Sequence, residues 1–142
     1  MEDLSTFESR EGQLTCSPKE VYDFVTDIRN FQRFIPEGAA KNIKIEKDSC
    51  SFNVNLLGEV KINILGKTEY DKVVFSGNAL HLNNFQLVMN IHSLPDEDAS
   101  VNVILSAEMN PLLKMVAAGP VRQFLETLIK EMESFTDWKN IR

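Results

Sequence analysis

The chain has 142 residues, 43% of them hydrophobic and 25% charged, with a formal net charge of −6. A length of 142 residues fits one domain, which can bury roughly 68–70% of its unfolded surface without metals or disulfides. The acidic balance and the scattered Lys and Arg disfavour phosphate backbones, so no nucleic-acid partner is expected.

The first ten residues carry Glu2, Asp3 and Glu8 and have no apolar core of a signal peptide. No apolar run approaches the ~18 residues that span a bilayer, so no stable membrane insertion is expected. Cys16 and Cys50 stand in no CxxC pair and at no metal-binding distance from a histidine. The expectation is a cytoplasmic protein with reduced thiols.

A first strand is expected over Ser5 to Leu14, weakened by Glu8, Arg10 and Gly12. Ser17-Pro18-Lys19-Glu20 then has the form of a capping box with proline at the first helical position. The spacing predicts a helix from Glu20 to about Thr26, with Val21, Phe24 and Val25 on one face. Asp27 can cap a second short helix over Ile28 to Phe34, ended by Pro36 and Gly38.

From Lys41 to Glu108 the apolar period is two. Ile43 and Ile45, Phe52 to Leu56, Val60 to Ile64, Leu87 to Ile91 and Val101 to Ala107 alternate with polar residues. A less regular strand is expected over Lys67 to Ser76. Turn signals fall at Lys47-Asp48-Ser49, Leu57-Gly58, Leu65-Gly66, Gly77-Asn78 and Pro95 to Asp98. Such short spacings mean hairpins and an antiparallel meander. Asn53, Asn55, Lys61, Asn63, Asn90 and Asn102 are assigned to the wet face, which Val88 and Ile104 interrupt.

Asn110 and Pro111 open one long C-terminal helix, with Val121, Phe124, Leu125, Leu128, Met132 and Phe135 at helical spacing. Its first half, Leu112 to Val121, is apolar on nearly every side. Pro120 removes one helical hydrogen bond, so a kink is expected near Val116 to Pro120. The fold class is α+β: strand, two short helices, then an antiparallel meander sheet wrapped around the long helix, its one available cover.

Ser17 to Val25, then Thr26-Asp27-Ile28 with Phe31, Phe34 and Pro36, together with Met109 to Met115, resemble the START-like superfamily. This group is also called birch-pollen-allergen-like or polyketide cyclase/dehydrase-like. The resemblance extends to the element order over essentially the whole chain. It implies the helix-grip fold and a hydrophobic cavity between the concave sheet face and the long helix. The superfamily mixes lipid carriers, cyclases, hydroxylase subunits, co-chaperones and hormone receptors, so the fold alone does not select an activity.

The residues also support a pocket, because large aliphatics face Ala117, Ala118 and Gly119, which leave room. The expected lining is Phe31, Phe34, Phe52, Val54, Val60, Ile62, Tyr70, Phe75, Leu87, Met89, Val103, Leu105, Met115, Ala118 and Val121. Roughly 300–1,000 Å³ would suit one small molecule.

No catalytic constellation accompanies it. His81 follows a turn and His92 ends a strand, and two histidines without a third ligand argue against zinc. Glu59, Glu69, Asp71 and Glu108 read as solvated strand-end carboxylates, although one facing the cavity would have a raised pKa. Arg33 and Lys61 could anchor an anionic head group, but both read as exposed. Tyr22, Tyr70 or Glu108 could supply a polar contact at the rim, and Cys50 has no activating neighbour. No cofactor motif and no metal motif is present.

The reading is a binding or carrier protein for a hydrophobic or amphipathic small molecule, lipid- or polyketide-like, as a monomer or weak homodimer. The alternatives are a cyclase or dehydratase acting on a polyketide-like carbonyl compound, and a co-chaperone-like interaction module.

Overall fold

A computed structural model describes residues 3–27, 30, 40–46, 49–54, 58–79, 83–95, 98–135 and 138. The strands are β1 (Asp3–Glu8), β2 (Gly12–Gln13), β3 (Ala40–Ile45), β4 (Ser49–Val54), β5 (Gly58–Thr68), β6 (Lys72–Ala79), β7 (Asn83–Ser93) and β8 (Ala99–Met109). The helices are α1 (Pro18–Val25) and α2 (Pro111–Ser134). One antiparallel sheet runs in the order β1-β8-β7-β6-β5-β4-β3, and β2 also pairs with β8. This is the expected α+β architecture, with the meander in chain order.

Two of the three capping expectations, those at Ser17 and Asn110, hold. The Ser17 hydroxyl accepts from the Glu20 N–H at 3.2 Å, and the Glu20 carboxylate accepts from the Ser17 N–H at 3.0 Å. The Asn110 Oδ1 accepts from the Leu113 N–H at 2.7 Å at the start of α2. Each bond satisfies a donor that a helix start leaves without a partner. The second short helix, Ile28 to Phe34, falls outside the described residues except for Asn30.

Four strand and turn expectations need correction. The first strand is two, because β1 and β2 are separated by Ser9-Arg10-Glu11 while both stay on β8. Leu65-Gly66 is not a turn but a register shift inside β5. The β5–β6 turn comes at Glu69-Tyr70-Asp71 instead, with Tyr70 at φ 59. Lys67 and Thr68 therefore belong to β5, and the expected Lys67–Ser76 strand is divided by that turn. Gly77-Asn78 lies inside β6. A Cβ on Gly77 would meet Phe85 Cζ at 2.6 Å and the Lys61 carbonyl at 2.7 Å. Glycine is needed there for close approach rather than for a turn.

Alternation sorts the two faces. Ile64, Phe75, Leu87, Leu105 and Phe7 are aligned across five strands on the inner face. Val73, Met89 and Val103 form a second row. Val88 and Ile104 pair with each other on the outer face, and Val88 also pairs with Val74, so these apolar side chains shelter one another half-buried. Asn102, expected to be wet, is buried. The break between β1 and β2 lets Glu8 fold over it and accept from its Nδ2 at 2.7 Å.

The two helices share the inner face. α1 packs on β6, β7 and β8, and α2 on β1, β2 and β8. Phe24 of α1 meets Phe135 and Trp138 with ring centroids 5.0 and 5.4 Å apart. These aromatics close the end of the sheet that holds Val73 and Ile91. α2 starts at the other end, directly after Met109.

Candidate functional site

The residues expected to line a pocket divide into three groups. Phe52, Val60, Ile62, Phe75, Leu87, Met89, Val103, Leu105 and Val121 are all buried. They form one apolar cluster with Ala117, Leu125 and Leu128, and Ala118 packs against it half-buried. Phe75, Leu87 and Met89 are each only 1% exposed, so the described side chains pack closely around them.

A second group is not inside. Tyr70 sits in the β5–β6 turn, its ring edge-on to Tyr22 at 5.4 Å and beneath Lys19 Nζ at 5.9 Å. Met115 is 79% exposed on α2. Neither lines the closed interior, because Tyr70 is drawn into the turn and Met115 lies on the outer arc of its helix. The third group, Phe31, Phe34 and the side chain of Val54, lies outside the described residues.

The titratable candidates are on the surface. Glu59, Lys61, Glu69, Asp71, His92 and Glu108 are exposed, so the proposed rim contact from Glu108 does not reach the interior. His92 Nε2 lies 3.2 Å from Asn102 Oδ1 and 3.8 Å from Glu11 Oε1. His81 and Arg33 lie outside the described residues. Among the described residues, the titratable side chains that are buried are the two thiols. Burial, with help from Glu20 and Asp98, pushes Cys16 up to about 12. Burial alone pushes Cys50 up to about 11. Both remain neutral thiols near neutral pH, which is an unreactive state. Among the described residues, no three of His, Cys, Asp and Glu converge as metal ligands would.

The sequence did not reveal how α2 changes along its length. Leu125, Leu128, Ile129 and Met132 are buried in its second half, and Ala117 and Val121 in its first. Leu112 is 72% exposed and Val116 52%, on the same arc as Met115. A Cβ on Gly119 would touch nothing within 4 Å. The apolar residues of the first half cover so much of its circumference that periodicity could not show which arc was wet.

An open groove of about 730 Å³ also lies on the outer sheet face, bordered by Asn63, Ser76, Gln86, Ser106 and Glu108. Its lining also includes Phe85 and Ala107, which belong to the buried core.

A concave antiparallel sheet grips one long C-terminal helix, with a short capped helix closing one end. The chain has the helix-grip fold. Solved structures support that statement over nearly the full length. A truncated norcoclaurine synthase from Thalictrum flavum matches with a TM-score of 0.68 at 8% identity, covering 95% of this chain and 97% of its own. The protein Ara h 8.0201 matches at 0.58 and 10% identity, covering 94% of this chain and 100% of its own. A protein of Rhizobium loti matches at 0.62 and 14% identity, covering 92% and 99%. Identities this low establish the helix-grip fold and leave activity open. No family model matches the chain, and no curated protein matches it.

Proposed function

We propose that the protein binds a hydrophobic or amphipathic small molecule, lipid- or polyketide-like, between the inner sheet face and the first half of α2. The observation that carries this reading is the loose seating of that half: Leu112, Met115 and Val116 face outward, and small Ala117 and Ala118 face the sheet. The row from Ile64 to Phe7 offers an apolar floor. A norcoclaurine synthase point mutant of the same fold is known in complex with a transition-state analogue, which supports a ligand-binding use of the fold.

In this reading a ligand enters as the first half of α2 lifts away from the closely packed sheet face. A Cβ at Gly119 would meet nothing within 4 Å, and Pro120 has no N–H to donate to the Val116 carbonyl. These adjacent residues form a natural hinge. Desolvating apolar ligand surface returns roughly 25 cal/mol per Å² to offset the opening.

Native mass spectrometry after detergent-free purification, followed by thermal melting with fatty acids and aromatic polyketides, tests the proposal. The expected result is a one-to-one adduct and a rise in Tm for at least one class. An empty protein whose Tm no compound moves would sink it.

A further inference from the structure

Among the described residues, the buried polar side chains are Ser5, Asn30, Ser100 and Asn102. Three of them are tied to partners. The Asn30 amide donates to the Phe24 carbonyl at 3.2 Å. Ser100 donates to Glu11 and Asn102 to Glu8, both on the outer side of β8. Ser5 is different. Its neighbours Thr6 and Glu8 are exposed, so alternation turns Ser5 inward with Phe7. Its hydroxyl makes no hydrogen bond among the described residues, yet no fully enclosed polar atom lacks a partner. The hydroxyl therefore holds part of the 3% of accessible surface that the residue keeps.

The place of Ser5 against α2 is bracketed from both sides. Two residues on, the Phe7 ring centroid lies 5.4 Å from the Arg122 guanidinium. Two residues back, Asp3 pairs with Met109, just before α2 begins. Ser5 therefore faces the first half of α2, where Ala117 and Ala118 pack toward the sheet. Across the sheet its row continues through Ala107, Phe85 and Gly77 to Ile62. One hydroxyl thus stands in a wall that is otherwise hydrocarbon. No counter-charge accompanies it: the buried titratable side chains among the described residues are neutral thiols. Arg122 and Lys114 are exposed and keep their charge in water, and Glu8 and Glu126 already border Arg122. Asp3, on the same strand, is an acid and offers an anion nothing.

We propose that Ser5 is the polar contact of the ligand site, and that the ligand is an uncharged amphiphile: a hydrocarbon body with a hydroxyl or carbonyl oxygen. The Ser5 hydroxyl donates to a carbonyl oxygen or accepts from a ligand hydroxyl. A carboxylate or an ammonium would leave water for a wall with one hydrogen bond and no opposite charge, which does not offset its lost hydration. This proposal rests on the ligand-binding reading above and narrows it to a charge class and an orienting side chain.

The test is calorimetric titration of the full chain with decanol, decene, decanoate and decylamine at about pH 8, where the acid and the amine are both ionised. Decanol is expected to bind about tenfold or more tighter than either ion. It should bind about threefold to tenfold tighter than decene. Ser5→Ala should abolish the preference for the alcohol over the alkene and leave alkene binding unchanged. The Tm of the unliganded variant should hold or rise, because the substitution removes a buried hydroxyl that has no protein partner. Equal or tighter binding of either ion, or an alcohol preference that survives Ser5→Ala, would overturn the proposal and leave the ligand-binding reading standing. A lowered Tm in Ser5→Ala would overturn it as well, by giving the hydroxyl a structural bond. Failure of all four compounds to bind would overturn both.

Discussion

The two halves of α2 belong to one unbroken helix, Pro111–Ser134, yet they are held in different ways. The second half is fixed from several sides. Its inner arc is fully buried, Arg10 reaches across from the β1–β2 break to Glu126 and Glu133, and the Phe135 and Trp138 rings lock its end against α1. The first half has its N-cap, buried Ala117 and Val121, and half-buried Leu113 and Ala118. Continuity of backbone hydrogen bonds does not make a helix uniformly stable, because tertiary packing supplies most of that stability.

The largest contrast should appear in amide exchange. Residues 115–119 should exchange by local opening, and residues 125–132 only near global unfolding, a gap of several powers of ten in protection. Equal protection would show α2 to be rigid throughout and would remove the hinge.

Side-chain deletion should follow. Leu128 is fully buried, so Leu128→Ala should cost about 2–5 kcal/mol in urea denaturation. Leu112→Ala, made at a 72% exposed position, should stay within about 0.5 kcal/mol. Similar costs for both would erase the comparison.

Two glycines sharpen it. A Cβ at Gly12 would meet Ile129 Cγ2 at 2.7 Å, so Gly12→Ala should cost about 1–3 kcal/mol by overpacking the second half. Gly119→Ala meets nothing within 4 Å and should stabilise by about 0.4–1 kcal/mol through helix propensity. If Gly119→Ala also slows exchange at residues 115–119, the hinge is located at that residue.

The smallest effect concerns acid. The hydrogen bond from Arg10, helped by the Gln13 N–H, holds the Glu133 carboxyl below its ordinary 4.5. A lowered folded pKa adds stability above the unfolded value and loses it as pH falls through the folded one. Arg10→Gln should therefore flatten the decline in stability below about pH 4.5, with little change in exchange at residues 115–119. A decline as steep as in the wild type would show that the pair does not anchor the second half.

Much of this fold was legible because its signals are local. Ser17-Pro18-Lys19-Glu20 specifies its own hydrogen bonds, and period-two alternation places Phe75 and Leu87 inward whatever surrounds them. What the sequence hid depends on partners far along the chain. Gly66 and Gly77 carry a turn signal, but one accompanies a register shift and the other makes room for Phe85. The true turn holds Tyr70 in the left-handed region, which disfavours a bulky side chain, so no composition rule points to it. The candidate site was legible as an apolar set but not as a volume. Whether Phe52, Phe75 and Met89 surround a space or fill it depends on how the helix is seated. Nor does a sequence show that Met115 lies on the outer arc when its neighbours are apolar on every side.

The lone tryptophan has a practical consequence. Trp138 is 2% exposed, donates its indole N–H to the Phe135 carbonyl at 3.0 Å, and stands edge-on to Phe24 and Phe135. It belongs to the end of the molecule that stays shut, so its emission reports whether the protein is folded and is blind to events at the start of α2. A dye placed on a cysteine introduced at Gly119 would then report the other end separately.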